Sequence, residues 1–345
     1  QGSDNIGGNP AGQIIVDHCP VSWGRDENIS LYRYMVETAG GGREKHPAKN
    51  VTIQWVISSE ALGPGHEFGG TWGGQDSTFH HNLFASNTGR NPSIGMSGEF
   101  DYRNNVIFNW GHRSMDGGDE TSLINVINNY YKAGPATREN MRTTIARMET
   151  RNQMSPGKQR IGAWYPNSSE RPGKWYVAGN IVENSAEVTA DNWLGMSGPA
   201  ELARVNSPFE GWPVNQQSAR EAYAAVLAKG GATLPRRDSV DRRVIDMVRS
   251  GRPVYGNGIL THPDQVGGFP QLTFSPADVP ADADGDGMPD AWENKHGLEA
   301  GDVSDGAEDS DTDGYTNIEE FLNGTDPRAF IDYRNLDNNI DTISG

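Results

Sequence analysis

Two stretches near the end of the chain carry the most specific chemistry. Asp282, Asp284, Asp286, Gly287 and Glu293 fit the spacing D-x-D-x-D-G-x5-E, and Asp309, Asp311, Asp313, Gly314 and Glu320 fit it again 27 residues later. Calcium takes about 6–8 oxygen ligands, which explains the pattern: carboxylates at positions one, three and five, glycine at six for the sharp turn, and two oxygens from position twelve. Each loop runs into a helical stretch, at residues 291–294 and 318–322. A small EF-hand-like calcium module over 282–326 is therefore expected, and the two matches at fixed offsets argue against a disordered acidic tail. With no methionine-rich groove of the kind that sensors expose, a structural stalk or attachment module fits better. A second candidate is the stretch 79–92: a short β-type run, Asn82 at its end, then a loop presenting Arg90 just ahead of Asn91-Pro92.

The elements that must position Arg90 are legible in a repeat. Runs similar to 79–84 recur, with matching asparagines at Asn82, Asn105, Asn129 and Asn180, spaced 23, 24 and 51 residues apart. The last spacing reads as two periods. A period in the twenties, with short strands and no helix inside it, predicts a β-solenoid. A strand of three to five residues cannot bury its own apolar face, but stacked coils bury a continuous core and pair every backbone group. Asparagine suits the bend through its tolerance of left-handed angles and its local hydrogen bonds, and stacked asparagines can form a ladder. Antiparallel sandwich strands would recur at about 8–12 residues.

Several ordered motifs carry a resemblance. Asp17-His18 follows an Ile-Ile-Val run. After it come residues 22–27 (Ser-Trp-Gly-Arg-Asp-Glu), 51–55 (Val-Thr-Ile-Gln-Trp), the His-His-Asn run ending at Arg90-Asn91-Pro92, and the stretch from Asn104 to Tyr131. Together they resemble the pectate lyases of polysaccharide lyase family one, in the form common in polysaccharide-degrading bacteria, over about residues 1–270. The implied fold is all-β, a right-handed parallel β-helix with peripheral helices and the small C-terminal calcium module. The acidic segment resembles thrombospondin type 3-like or dockerin-like calcium repeats.

The resemblance also implies roles. Arg90 falls on the position of the family's proton-abstracting arginine. Asp4, with Asp26 or Glu27, falls where calcium ligands belong, and Gly2 stands where a further aspartate would sit. Asp17-His18 corresponds to a buried structural motif. Two departures from the family pattern matter: residues 63–70 contain no lysine, and no second arginine follows Arg90, where the chain reads Ser93-Ile94-Gly95. His66, Arg113, or Arg43 and Lys45 are the candidates to contact the substrate carboxylate in their place. The expected reaction is calcium-dependent β-elimination of pectate or polygalacturonate. The alternatives left open are a lyase of another uronic acid polysaccharide and a non-catalytic β-helix that binds glycans at a cell surface. A hydrolase would need a carboxylate pair flanking the bond, whereas this motif set offers calcium-type acids beside an arginine.

Charge and length bound these readings. The net charge of −17 is concentrated in residues 278–345, which hold 19 acids and 3 bases; the remaining 277 residues hold 27 acids and 26 bases. The main domain thus lacks the basic field of a nucleic-acid binder. No run of apolar residues is long enough to span a membrane. The single cysteine, Cys19, can form no intrachain disulfide and reads as a small buried hydrophobe. The expected partner is an acidic plant or algal polysaccharide, and the protein is expected to act as a monomer, secreted, periplasmic or on the cell surface. The expected layout is a β-helix over 1–272 with its first coils missing, covering helices near 218–250, a linker over 273–281, the calcium module and a terminal tail over 327–345. Long loops are expected to leave the coils at 34–50 and 136–174.

Overall fold

Short runs rich in Val, Ile, Phe and Tyr return to three faces in turn, each pairing with its equivalent one coil away. The computed structural model describes residues 3–149 and 172–338, apart from 235, 273, 274, 276, 278, 333, 334, 336 and 337. Two compact units are present: Gln1–Trp212 with Gln216–Pro270, and Pro213–Asn215 with Gln271–Gly345.

The first unit is a right-handed parallel β-helix. Sheet A stacks Ile6–Gly7, Glu27–Leu31, Phe68–Gly74, Ser93–Ser97, Met115–Gly117, Ala146–Met148 and Met196–Ser197. Sheet B stacks Gly12–Asp17, Lys49–Gln54, Ser77–His80, Glu99–Arg103, Leu123–Ile127 and Lys174–Ala178. Sheet C stacks Pro20–Ser22, Ile57–Ser59, Leu83–Ala85, Val106–Phe108, Tyr130–Lys132 and Ile181–Val182. Registers repeat from coil to coil, so Phe79 lies between Ile53 and Tyr102. Inside the helix, Trp72 meets Phe84 at 4.7 Å and Phe79 at 5.3 Å between ring centroids, and Phe79 meets Phe100 at 4.6 Å. Such tilted aromatic pairs add to the area that they bury.

The asparagine ladder runs through one corner. Asn82 Nδ2 donates to Asn105 Oδ1 at 3.0 Å, Asn105 Nδ2 to Asn129 Oδ1 at 3.0 Å, and Asn129 Nδ2 to Asn180 Oδ1 at 2.9 Å. A fifth rung that the repeat did not reveal, Asn192, accepts from Asn180 Nδ2 at 3.1 Å. The left-handed backbone expected of these asparagines belongs instead to the residues just before them. His81, Asn104 and Asn128 have φ of 54°, 58° and 54°, and Gly179 has 70°. The ladder residues spend their amides on bonds between coils, while their predecessors turn the chain.

Four further expectations are corrected. The 51-residue spacing is one coil and not two, because Leu123–Ile127 pairs directly with Lys174–Ala178. The intervening chain makes one sheet A strand, Ala146–Met148; residues 150–171, within the long loop expected over 136–174, lie outside the described residues. The segment 34–50 is an antiparallel hairpin, Arg33–Glu37 against Arg43–Pro47, with Gly41 at φ 76° in its turn. Asp17 is exposed and His18 half-buried, since Gly12–Asp17 is the edge strand of sheet B among the described residues. Cys19 is likewise half-buried.

Two helices cover sheet C. Ala219–Lys229 begins with a Ser218–Glu221 capping box, and Ser239–Ser250 is capped by Asp238 and closed by left-handed Gly251. Val226, Leu227, Val244, Ile245 and Met247 pack on Ile57, Leu83, Val106 and Phe108. The helices thus bury the outer apolar face of that sheet. Arg243 clamps the second helix to the solenoid through two bonds to Glu60, at 2.5 and 2.7 Å.

Among its described residues the second unit holds two α-helices, Asp290–His296 and Asn317–Asn323, with Trp292 edge-on to Phe321 at 5.2 Å. Left-handed Gly297 and Gly324 end them.

Candidate functional site

The loop that carries Arg90 is fixed by the coils on either side. Asn91 N–H donates to Ser114 O at 2.8 Å, Asn91 Nδ2 to Arg113 O at 3.1 Å, and Asn87 Nδ2 to Ser58 O at 3.0 Å and Asn91 Oδ1 at 3.2 Å. Below the loop, Gly70 N–H donates to Arg90 O at 2.9 Å. A Cβ on Gly69 would lie 2.8 Å from that oxygen, so only glycine lets the strand approach so closely. Arg90 itself has φ 54°. A non-glycine residue in this region marks a turn held by its surroundings.

Arg90 Nη1 donates to Glu27 Oε1, which also accepts from Thr71 Oγ1 at 3.3 Å. Asp4, Asp26 and Glu27 each offer a carboxylate oxygen within 4.8 Å of the others. Asp4 Oδ1 accepts from Glu27 N–H at 3.1 Å, and His66 Nδ1 lies 2.6 Å from Asp26 Oδ1. Burial raises the Asp4 carboxyl above its ordinary range, and the Asp26 charge adds to this, against the pull of Arg90 and Arg33. Three converging acids of which one is raised by another suit a hard cation with oxygen ligands. Gly2 lies outside the described residues.

Phe68, unnoticed in the sequence, organises the cations. Its ring has the Arg90 guanidinium at 4.5 Å, the Arg113 guanidinium at 5.4 Å and the His66 ring at 5.2 Å. Arg113 Nη1 also donates to Asp116 Oδ2 at 2.5 Å, and Arg147 stands 3.7 Å from the same oxygen. Across sheet A the register runs Ser30, Thr71, Ser93, Asp116, Arg147, a polar row one residue wide. The structure therefore brings Asp4, Asp26, Glu27, His66, Arg90 and Arg113 together. It places Arg43 elsewhere, 3.7 Å from Glu37 in the hairpin that also carries Lys45. A cleft of about 560 Å³ opens between Arg25, Asp26, Leu62 and His66.

His80 and His81 do structural work. His80 is buried, and burial first, then His81 and Arg103, hold its imidazole well below the usual range. His81 stacks on Trp55 at 4.3 Å.

In the second unit the two loops repeat one hydrogen-bond pattern. Asp282 accepts from Gly285 and Gly287 N–H at 2.7 and 3.2 Å; Asp309 accepts from Thr312 and Gly314 N–H at 2.8 and 3.0 Å. Asp282, Asp284 and Asp286 converge within 4.8 Å, as do Asp309, Asp311 and Asp313. Glu293 and Glu320 are buried, and neither oxygen of either carboxylate has a hydrogen-bond partner. Burial pushes the Glu293 carboxyl up to about 7, helped by Asp284, Asp286 and Asp305. Burial pushes that of Glu320 up to about 7 as well, against the Thr325 hydroxyl, with Asp311 and Asp313 adding to it. Buried carboxylates without donors are costly, and a cation would satisfy them. The donor sets fit calcium.

No family model matches the chain. Among curated proteins it is similar to probable pectate lyase C of Aspergillus terreus, at 30% identity over 340 residues, covering 95% of this chain and 69% of that one. The corresponding protein of Aspergillus flavus is 30% identical over 343 residues, covering 95% and 69%. That of Emericella nidulans is 29% identical over 341 residues, covering 96% and 69%. With the β-helix on the page and relatives aligned over nearly its whole length, the chain belongs to the pectate lyase family, a family of carbon–oxygen lyases.

Proposed function

We propose that the protein cleaves pectate-type polyuronides by calcium-dependent β-elimination, as a member of polysaccharide lyase family one of the secreted bacterial type. The observation that carries this reading is the meeting of Arg90 with Asp4, Asp26 and Glu27 at one end of sheet A. Asp4, Asp26 and Glu27 would hold a calcium ion, and its positive charge would supply the acidification of the C5–H beside a uronate carboxylate. Arg90, in its neutral form, takes the C5 proton; the electron pair becomes the C4–C5 double bond, the C4–O bond breaks, and the leaving oxygen takes a proton from water. Arginine is normally protonated in proteins, so the base role rests on the resemblance. The geometry supports the electrostatic half of the role, a positive charge fixed where an enediolate forms. Glu27 and Phe68 orient that charge.

Arg113 and His66 contact substrate carboxylates in place of the lysine that the chain lacks. The acidic unit is a thrombospondin type 3-like calcium module, with ions at 282–293 and 309–320. The substrate is an acidic plant or algal polysaccharide, acted on by a monomer outside the cytoplasm. Among the described residues no helix is long and apolar enough to cross a membrane.

A second reading is favoured by one observation: Arg113, the nearest substitute cation, is already engaged with Asp116. A cleft so tuned could hold a different polyuronide, or bind a glycan without turnover. Incubation with polygalacturonate, with and without calcium, separates these readings. Ultraviolet absorbance of an unsaturated product that grows only with calcium is expected; its absence in both arms overturns the lyase reading on this substrate.

A further inference from the structure

We propose that Asp305, which lies outside both twelve-residue loops, closes the first calcium site and couples its filling to the second. This rests on the calcium reading of the module. Asp286, Glu293 and Asp305 offer oxygens that all lie within 4.8 Å of one another, and Asp286 also belongs to the cluster with Asp282 and Asp284. The first loop thus gathers five carboxylates, Asp282, Asp284, Asp286, Glu293 and Asp305, where its own spacing supplies four. Asp305 is 7% exposed. One of its oxygens, Oδ2, accepts from Glu299 N–H at 2.9 Å, while Oδ1 is buried with no partner. Gly306 next to it is pressed against the cluster, since a Cβ there would lie 2.5 Å from Asp286 Oδ2.

The same residue reaches the second loop through its main chain. Asp305 O accepts from Asn317 Nδ2 at 2.7 Å, and Asn317 N–H donates to Glu308 O at 2.7 Å. Asn317 is the ninth position of the second loop, is fully buried, and opens the Asn317–Asn323 helix that carries Glu320. Drawing the Asp305 carboxylate onto an ion in the first loop therefore fixes the carbonyl on which the second loop is hung. Among the described residues the second loop has no matching device: Asp332, one 27-residue step on, is exposed and in no such cluster. Calcium affinity rises with the number of ligand charges, so the first loop fills first and pre-orders the second.

The test is peptide-resolved hydrogen exchange of the full chain, titrated with calcium from chelator. Asp305→Asn should raise the calcium midpoint for protection of the first loop about tenfold or more, the scale on which metal-site partners act. It should also raise the second-loop midpoint within the range of about 5- to 150-fold typical of coupled sites. Asp302→Asn, which removes an equal charge from an exposed neighbour, should leave both midpoints in place. Wild-type midpoints in Asp305→Asn, or a shift confined to the first loop, overturn the proposal. Absence of any calcium protection in either loop of the parent overturns the calcium reading itself. If Asp305→Asn never becomes protected, Gly306→Ala decides: it keeps every carboxylate but crowds Asp286, and unchanged midpoints in both loops sink the coupling.

Discussion

Glu27 holds Arg90 from across 63 residues, and does so beside the ring that the guanidinium covers. Glu27 and Phe68 are paired in register on adjacent strands of sheet A, so one rung supplies both the counter-charge and the platform. A lysine at position 90 would keep the charge but lose the planar fork that spans the two. A positioned acid or base contributes about 10²–10⁴-fold. Arg90→Lys should lower turnover by that order with an unchanged unfolding transition. Near-normal turnover would remove Arg90 from the reaction.

Phe68→Ala should act on both cations at once. Each cation–π contact contributes about 0.5–2 kcal/mol. Loss of the ring should raise KM through Arg113 and lower kcat through Arg90, whereas Arg113→Lys should raise KM alone. Steady-state kinetics on polygalacturonate separates the two patterns.

In the ladder, Asn105→Ala leaves Asn82 N–H without its acceptor, Asn82 Nδ2 with only Ile53 O, and Asn129 Oδ1 without one of its donors, all in buried surroundings. An unsatisfied buried group costs about 1–3 kcal/mol. The denaturation midpoint should fall accordingly. Asn192→Ala should cost about as much, because Asn180 N–H and Nδ2 lose the same oxygen there.

Asp241 gives a pH dependence. Burial pushes its carboxyl up to about 7, with Asp238 adding and Arg237 and Arg243 opposing. The folded value exceeds that of the unfolded chain, so the protonated form favours the fold. Its contribution is full below about pH 4, the ordinary aspartate value, and is lost as pH rises through about 7. Asp241→Asn should flatten the stability profile across that window and be the more stable variant at pH 8. Parallel denaturation profiles for the two proteins would count against the assignment.

Chelation should loosen the second unit. Residues 278–345 hold 19 acids against 3 bases. Without calcium, proteolysis should cut first within 282–326, while the β-helix persists. Equal resistance with and without chelator would argue against ions in both loops.

The solenoid was legible because its signal is local: Asn82, Asn105 and Asn129 mark the corner at nearly constant spacing. The signal failed at Asn180, where a single coil of 51 residues has the length of two. The two twelve-residue acidic loops were legible because metal-ligand geometry dictates residue type at every second position. Phe68 was not, since an aromatic in a glycine-rich strand reads as core until the cations around it are located. Asp305 was missed for a related reason: its role depends on a fold-back that no fixed spacing encodes. Arg90 and the acids Asp4, Asp26 and Glu27 were placed by resemblance, and their proximity is a product of coil stacking.

The ladder also separates length from pitch. A rung needs only that each coil return one asparagine to the same corner, whatever the chain has done since the last. The step from Asn129 to Asn180 spans 51 residues, yet its amide bond is as short, at 2.9 Å, as that of its neighbours. Coils can therefore lengthen between corners without disturbing the stack. The loops of this fold are free to be rewritten for new glycans while the scaffold keeps its count.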